Sequence, residues 1–285
     1  MIRKVFIKPI RRIMNSMNEL AHGDFSVRID TKQDKYVPIE IRQFSESFNK
    51  AAEELSGTEI LRKDFVNNFS HEFKTPIVSI NGFADLLLSA DLPKEDEKEF
   101  LTIIRDESRR LTNLADTILL LNRIESQTIL RDAVPFRIDE QIRQTVLVTQ
   151  QKWKEKDLDF HLDLSEAEYC GNESLLKEVW VNILDNAAKF SPEGKPIQVT
   201  LQDQEDSITV SVTDQGPGID ENTKAHIFEQ FYQGDTSHKT QGNGLGMAMV
   251  HKIVSLHEGR ILIDSSPGNG SCFSVVLPKN GQGNS

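Results

Sequence analysis

The sequence is poor in cysteine and lacks a long apolar run. Its two cysteines, Cys170 and Cys272, lie far apart among 285 residues, which argues against a disulfide framework or a zinc site. We expect both to fill core. No stretch approaches the roughly 18 to 20 apolar residues needed to cross a bilayer, and no signal peptide is present. The chain as given is therefore expected to be soluble and cytoplasmic.

Positive charge is also scarce. Lys and Arg total 33 against 44 for Asp and Glu, and the formal net charge of -11 argues against a nucleic-acid partner. The first twelve residues are an exception, with Arg3, Lys4, Lys8, Arg11 and Arg12 but no acid. Such a cluster is typical of the cytoplasmic flank of a membrane helix, and equally of a solvated helix end. The chain length predicts two or three structural units.

Residues 1–56 are predicted to form two short helices around the connector "AHGDFSVRID". Apolar residues at helical spacing mark the two helices: Ile10, Ile13, Met17 and Leu20, then Phe44, Phe48, Ala52 and Leu55. Because short amphipathic helices bury little apolar surface alone, association with a second copy of the chain is expected.

Residues 57–130 are predicted to form a helical hairpin with "ADLPKEDE" as its turn. The first helix has a heptad seam of Val66, Phe69, Phe73, Pro76, Ile80, Phe83 and Leu87. The second has Phe100, Ile104, Leu111, Leu114, Ile118 and Leu121 on one side. Two such hairpins from two subunits would make a four-helix bundle, so a homodimer is predicted.

His71 lies at heptad position f of the first helix, which points away from the seam. Glu72 can accept a hydrogen bond from one ring nitrogen of a neutral imidazole and leave the other nitrogen ready for nucleophilic attack. Thr75 follows one turn later on the same face, where its hydroxyl can hold a water. Pro76 offers no N–H to the carbonyl of Glu72, so a bend is expected there. The alternative is an idle, exposed histidine.

Residues 131–278 are predicted to form a two-layer α/β unit with helices on one side of a mixed sheet. The clearest strands are "PIQVTLQ" and "SITVSVTD", whose predicted inward residues are Ile197, Val199, Leu201, Ile208, Val210 and Val212. A second strand pair, "GRILIDS" and "SCFSVVL", follows the helix "LGMAMVHKIVSLHE". Residues 279–285 are expected to form a disordered tail.

The segment "EVWVNILDNAAKF" has a polar face of unusual composition. Glu178, Asn182 and Asn186 follow at successive intervals of four, and Lys189 comes three residues later. Oxygen ligands suit magnesium and an ammonium group suits a phosphate oxygen, although a plainly solvated face is the alternative. The buried side is predicted from Val179, Ile183 and Ala187.

Two glycine segments follow. Asp214 ends a strand in "DQGPGID", and its carboxylate can accept a hydrogen bond from an exocyclic amine such as that of adenine, with Gly216 and Gly218 allowing close backbone approach. The segment "GNGLGMAMV" places Gly242, Gly244 and Gly246 before a helix whose N-terminal N–H groups favour phosphate. Between them, "FEQFYQGDTSHKTQ" predicts a flexible lid anchored by Phe228 and Phe231. Singly, these glycine patterns are weak.

Their order is more specific. The series H-E-x-x-T-P, N-x-x-x-N, D-x-G-x-G, F-x-x-F and G-x-G-x-G resembles the sensor histidine kinases of two-component systems over nearly the whole chain. "PIRRIMNSMNELAHGDFSVRI" with "FSESFNKAAEEL" is similar to a HAMP relay module. The resemblance implies a multidomain protein: a HAMP-like segment, a dimerisation and phosphotransfer hairpin, and a two-layer α/β ATP-binding domain of the gyrase, Hsp90 and histidine kinase (GHKL) type.

The resemblance also implies roles for residues. His71 would take the γ-phosphoryl group of ATP and pass it to an aspartate on the receiver domain of a response regulator, with Glu72 as base and Thr75 serving phosphatase activity. Asn186 would hold Mg²⁺, with Glu178 or Asn182 as further possible ligands. Further nucleotide-binding residues would be Asn182, Lys189, Asp214, Gly216, Gly218, Phe231, Gly242, Gly244, Leu245 and Gly246. The chain would be the cytoplasmic part of a membrane receptor, attached through a segment absent from it, or a cytosolic sensor.

The sequence departs from the family pattern at two points. Gln233 stands where many relatives have an arginine after the aromatic pair, and the HAMP-like segment lacks the usual acidic pair opening its second helix, with only Glu40 near. Lys239 or His238 are candidates to supply the missing charge. Two other functions stay open: an ATPase of the same fold that activates water with Glu178, and an ATP-binding dimeric adaptor or phosphatase.

Overall fold

The computed structural model describes residues 7–30, 38–89, 92–127, 130–234 and 242–279. The chain divides into two compact units, Met1–Lys74 and Thr75–Ser285. The helices are α1 (Lys8–Ala21), α2 (Ile39–Ser89), α3 (Lys94–Glu125), α4 (Ile138–Lys152), α5 (Glu173–Phe190), α6 (Glu221–His226) and α7 (Gly246–Leu256). The strands are β1 (Val134–Arg137), β2 (Asp159–Leu164), β3 (Glu168–Gly171), β4 (Pro196–Asp203), β5 (Ser207–Asp214), β6 (Arg260–Ser265) and β7 (Ser271–Pro278). No helix within the described ranges is both long enough and apolar enough to span a membrane.

In the first unit, the connector packs between α1 and α2. Ile29, Phe48 and Ala52 form a buried cluster, to which Ile13, Leu20 and Val27 add. The side chain of Asn49 pins the connector by accepting the N–H of Ile29 at 2.8 Å and donating to its carbonyl oxygen at 3.0 Å. The predicted helices on either side of a connector are present.

The second of these helices is not a separate element. The sequence predicted one helix ending near Leu55 and another starting near Thr58, but α2 is continuous from Ile39 to Ser89. The only helix-weakening residue between them is Gly57, and a single glycine costs only about 1 kcal/mol in a helix. The helix also continues through Pro76, and the expected bend there stays a prediction.

The predicted hairpin of long helices is confirmed in the second unit. Phe83 near the end of α2 and Phe100 near the start of α3 have ring centroids 5.0 Å apart, as expected for antiparallel neighbours. On α3, Leu114, Ile118 and Leu121 are buried, at 2 to 8% exposure. The predicted apolar side of α3 is therefore the packed side.

The α/β part of the second unit has a five-stranded mixed sheet in the order β2-β4-β5-β7-β6. The pairing of β2 with β4 is parallel, and the other pairs are antiparallel. The predicted inward residues of β4 and β5 are all buried, at 0 to 3% exposure, and α4, α5 and α7 supply the facing helical layer. The predicted two-layer fold is confirmed, while the separate two-stranded sheet of β1 and β3 was not predicted.

Two smaller expectations were wrong. Cys170 is exposed, because the alternation along β3 turns Tyr169 inward and Cys170 outward. Lys279, expected in a disordered tail, continues the pairing beyond β7, where its N–H donates to the carbonyl oxygen of Asp206 at 2.9 Å. The rest of the predicted tail, residues 280–285, lies outside the described residues.

Candidate functional site

Helix α5 carries the polar face that the sequence predicted. Asn172 caps its first turn by accepting the N–H of Leu175 at 3.0 Å, a strongly preferred N-cap arrangement. The predicted buried residues Val179, Ile183 and Ala187 are 0 to 4% exposed. The polar residues Glu178, Asn182, Asn186 and Lys189 are all half-buried. The polar face therefore borders other parts of the domain and is not a plainly solvated surface.

Asn182 and Lys189 bring this polar face to the second glycine segment. Asn182 donates from Nδ2 to the carbonyl oxygen of Glu178 at 2.8 Å, and its Oδ1 lies too close to Gly246 to leave room for a β-carbon there. The Lys189 Nζ atom lies 2.9 Å from the position that a β-carbon on Gly242 would take. The structure thus brings together two segments that are far apart in the sequence.

The ammonium group of Lys189 is partly withdrawn from water. Burial lowers the pKa of Lys189, with the nearby Asp185 acting in the opposite direction. The Nζ atom also lies 4.7 Å from the centre of the Phe190 ring. A partly desolvated cation beside glycine backbone is suited to bind an anion, because the anion replaces the electrostatic stabilisation that water would provide.

Asp214 ends strand β5 in a buried position, with 6% exposure. Its Oδ1 accepts the N–H of Gly216 at 2.8 Å, and the backbone of Ser271 donates a further hydrogen bond. Burial raises the pKa of the Asp214 carboxyl, and these two hydrogen bonds oppose that shift. A buried hydrogen-bond acceptor with a fixed orientation is suited to bind a hydrogen-bond donor on a ligand.

Close backbone contacts explain several of the predicted glycines. Gly216 leaves space for the carbonyl oxygen of Phe190, which is 3.0 Å from where its β-carbon would lie. Gly218 has φ +74° and packs directly on the carbonyl oxygen of Ser266. Gly244 has φ +66° and packs on the backbone of Phe231. The predicted residue Leu245 is fully buried at the N-terminus of α7.

Replacement of Gly218 by alanine is expected to lower the free energy of unfolding by about 3 kcal/mol, because strain and a backbone collision add together. Gly268→Ala is the matched control, since Gly268 also has positive φ, +85°, but an added β-carbon would meet nothing within 4 Å. The control should lose only about 1 kcal/mol. Urea denaturation of both variants measures the difference, and equal losses would contradict the packing argument.

The two ends of the predicted lid are tied together. The N–H of Phe231, a residue with φ +63°, donates to the carbonyl oxygen of Gly244 at 2.9 Å. The side chain of Gln233 donates to the carbonyl oxygen of Gly242 at 2.9 Å, and the Phe228 ring lies 5.0 Å from that of His251. Gln233 therefore serves as a link at the base of this segment. The middle of the segment, with His238 and Lys239, lies outside the described residues.

His71, Glu72 and Thr75 all lie on α2. His71 and Thr75 are exposed, and Glu72 is half-buried. His71 and Thr75 lie one helical turn apart. This agrees with the outward heptad position predicted for His71. The roles of the three side chains stay predictions.

Sequence reasoning missed a lysine that supports the C-terminal end of α5. Lys156 donates to the carbonyl oxygens of Ala188 and Ser191 at 3.0 Å each, and also to that of Lys189. These carbonyls belong to the C-terminus of α5, where a cation is stabilised by the helix dipole. Lys156 therefore fixes the end of the helix that carries Lys189, and no local sequence signal connects the two.

His257 is a second missed residue, buried to 2% exposure at the end of α7. Its Nδ1 lies 2.8 Å from the carbonyl oxygen of Ile253, and its Nε2 accepts the N–H of Asn172 at 3.2 Å. These two bonds require the neutral ring with its proton on Nδ1. His257 thus joins the end of α7 to the start of α5.

Acid is expected to weaken this junction. Burial lowers the pKa of His257 below its ordinary value of 6.5, so the unfolded chain binds a proton that the folded chain rejects. The free energy of unfolding should therefore fall as pH drops below 6.5, by up to about 1.4 kcal/mol per pH unit. Urea denaturation at several pH values measures this slope. A His257→Gln variant should show a flatter slope, and an unchanged slope would contradict the assignment.

Three family models match the chain. The HAMP domain model matches residues 1–57, and the His Kinase A (phospho-acceptor) domain model matches residues 61–127. The model of histidine kinase-, DNA gyrase B- and HSP90-like ATPases matches residues 171–281. The last two ranges contain His71 and the polar face of α5 with the glycine segment at α7.

The chain is also similar to curated proteins. It is 33% identical over 274 residues to the heme sensor protein HssS of Staphylococcus saprophyticus, which is 96% of this chain and 58% of the relative. The HssS protein of Staphylococcus haemolyticus is 30% identical with the same coverage. The chain thus spans somewhat more than half the length of these relatives.

Solved structures share the fold. Histidine kinase ThkA, in a complex with response regulator protein TrrA, matches with a TM-score of 0.64 and 24% identity over 78% of this chain and 63% of that one. Full-length ShkA in complex with AMPPNP matches with a TM-score of 0.57 and 26% identity over 75% of this chain and 45% of that one.

A helical hairpin that carries an exposed histidine next to a half-buried glutamate, followed by an ATPase-type α/β domain, defines the class of two-component signalling proteins with a phosphoacceptor domain and an ATPase domain. Within that class, this chain belongs to the sensor histidine kinases.

Proposed function

We propose that the protein is an ATP-dependent histidine kinase that phosphorylates its own His71 and passes the phosphoryl group to an aspartate of a response regulator. The observation that supports this most is the meeting of Asn182 and Lys189 with the glycine segment at α7, in a domain that follows a phosphoacceptor-type hairpin. We assign residues 1–56 to the HAMP-like segment, 57–130 to the hairpin and 131–278 to the ATP-binding domain.

The nucleotide is proposed to lie between α5 and the two glycine segments. The buried carboxylate of Asp214 would accept a hydrogen bond from the exocyclic amine of adenine. The phosphates would lie at the N-terminus of α7, where backbone N–H groups and the helix dipole favour anions. Lys189, placed beside Gly242, would neutralise phosphate charge, while Phe231 and Leu245 would shape the rim and floor of the site.

The residues present fit a magnesium ion held mainly by Asn186. Amide and carboxylate oxygens are suitable ligands for this hard cation, and Glu178, Asn182 and Asn186 lie half-buried on one helix face. Asn182 already donates to the backbone of α5 and faces Gly246, so Asn186 is the better ligand and Glu178 a possible second. Bound magnesium would neutralise charge on the transferred phosphoryl group.

His71 is proposed as the nucleophile. Glu72 would hold the proton on one ring nitrogen while the other nitrogen forms a bond to the γ-phosphorus of ATP. The bond between that phosphorus and the bridging oxygen breaks at the same time, and ADP leaves. Because phosphoryl transfer depends mainly on positioning and charge neutralisation, an exposed histidine on a rigid helix is adequate once the ATP-binding domain reaches it.

The partners of this reaction are proposed from the matched domains. The apolar sides of the hairpin helices favour a homodimer with a four-helix bundle, and the phosphoryl acceptor would be the receiver domain of a response regulator. We propose a place on the cytoplasmic side of the cell membrane, with attachment through a segment outside this chain. The HAMP match and the basic residues near Lys8 support that placement.

Incubation of the purified protein with γ-labelled ATP and magnesium tests the proposal. Label that is lost in acid and kept in alkali would identify a phosphohistidine, and the label should then move to a receiver domain. Label found only as free phosphate would instead indicate an ATPase that uses Glu178 to activate water. Nucleotide binding with neither product would indicate an adaptor.

Thr75→Ala is expected to reduce dephosphorylation of the phosphorylated partner at least about tenfold while leaving autophosphorylation within about twofold, because the hydroxyl would position a water but not the nucleophile. Thr102→Ala is a matched control, since the Thr102 hydroxyl donates to the carbonyl oxygen of Lys98 in its own helix. Release of labelled phosphate from the partner is the measurement. Equal loss of both activities would contradict this division of roles.

A further inference from the structure

Ser265, at the end of β6, is a buried serine that the proposed reaction does not use. It is 7% exposed, and its hydroxyl oxygen accepts the N–H of Ile219 at 2.9 Å. The same oxygen lies 2.8 Å from the carbonyl oxygen of Gly270 and 3.0 Å from the Ser271 hydroxyl. One small side chain therefore joins the loop after β5 to the turn before β7.

The loop and the turn are also packed against each other without spare room. The N–H of Gly268 donates to the carbonyl oxygen of Pro217 at 2.6 Å. Gly218 packs on the carbonyl oxygen of Ser266, and Gly270 packs on that of Asp214. Because such close backbone contacts leave no free space between the two segments, neither segment can shift without displacing the other.

These two segments carry the two backbone groups that orient the Asp214 carboxylate. Gly216 belongs to the same loop as Ile219, between β5 and α6, and Ser271 begins β7 directly after Gly270. Ser265 holds Ile219 at one end of the loop and Gly270 at the start of the strand. It therefore fixes both supports of the carboxylate without touching the carboxylate itself.

We propose that Ser265 is a positioning residue that sets the selectivity of the nucleotide site for adenine. The inference rests on the proposed role of Asp214. Without the Ser265 hydroxyl, the N–H of Ile219 loses its buried acceptor, and the loop must shift to find water. The carboxylate then loses its fixed direction, and with it the ability to favour a base that carries an exocyclic amine.

The test compares the dissociation constants of ATP and inosine triphosphate for the full chain. Inosine triphosphate has a carbonyl oxygen in place of the exocyclic amine, so the wild type should favour ATP by about a hundredfold or more. Ser265→Ala should reduce this ratio about tenfold, mainly by weakening ATP binding. Ser265→Cys, which fills the same space with a weak hydrogen-bonding group, should reduce it in the same direction.

Ser211→Ala is the matched control, because Ser211 also bonds a serine hydroxyl within the sheet, that of Ser274 at 2.8 Å, away from the loop. It should keep the wild-type ratio within about twofold. A wild-type ratio in both Ser265 variants, including equal weakening of both nucleotides, would overturn the positioning role alone. Equal affinity of the wild type for both nucleotides would overturn the assignment of Asp214 and this inference with it.

Discussion

Replacement of His71 by glutamine is expected to reduce acid-labile phosphorylation more than about a hundredfold, to background, because glutamine has no nucleophilic nitrogen at neutral pH. His71 is exposed on the surface of α2, and surface substitutions of this kind change stability by no more than about 0.5 kcal/mol. The affinity for ATP should therefore stay within about twofold of the wild type. Incorporation of label from γ-labelled ATP and nucleotide titration measure the two quantities.

A matched control for this variant is His161→Gln. His161 is also exposed, lies on β2 and pairs with Asp159 at 2.8 Å, so it should keep full labelling. Label that persists in His71→Gln would show that another residue accepts the phosphoryl group. Loss of ATP binding together with label would instead indicate that the substitution disturbed the fold.

Replacement of Asp214 by asparagine is expected to weaken ATP binding about a hundredfold or more, because the amide places a donor where the exocyclic amine needs an acceptor. The effect on stability should have the opposite sign. Burial raises the pKa of Asp214 above its ordinary value of 3.8, so the folded protein binds the carboxyl proton more readily than the unfolded chain. Any stability linked to that proton is lost as pH rises through the folded-state pKa.

At neutral pH the charged carboxylate therefore costs folding free energy, and the uncharged asparagine removes that cost. The Asp214→Asn variant should have a melting temperature equal to or higher than that of the wild type. Asp185→Asn is the contrasting control for stability: Asp185 accepts from Trp153 and Lys152 at 2.7 Å each, so loss of its charge should lower stability. A destabilised Asp214→Asn variant would contradict the argument.

The elements of the α/β domain were predictable because their signals are local. Val199 and Val210 alternate with polar residues along their strands, and Ile183 recurs with helical spacing. Each pattern reports one face of one element, since a strand repeats every two residues and a helix every 3.6. The order of the motifs could also be recognised in the sequence, and the matched family models agree with that order.

Boundaries were less predictable where no strong breaker stands in the chain. The sequence predicted a boundary between residues 56 and 57, yet α2 passes through it without interruption. Helix continuity depends on a sum of small propensities and on packing along the whole length. Similarly, the outward position of Cys170 follows from the pairing of β3 with β1. No residue pattern within the short strand β3 predicts that pairing.

The sequence alone determined the class of fold, the spacing of Glu178, Asn182 and Asn186, and the outward position of His71, because each depends on residues close in the chain. Only the tertiary structure decided that Asn182 meets Gly246, that Lys156 closes the end of α5, and that Ser265 joins the two supports of Asp214. These contacts join segments that are far apart in the sequence, so no helical or strand periodicity predicts them. Packing of the sheet against its helices brings the segments together, and only interatomic distances in the folded chain identify the side chains that meet.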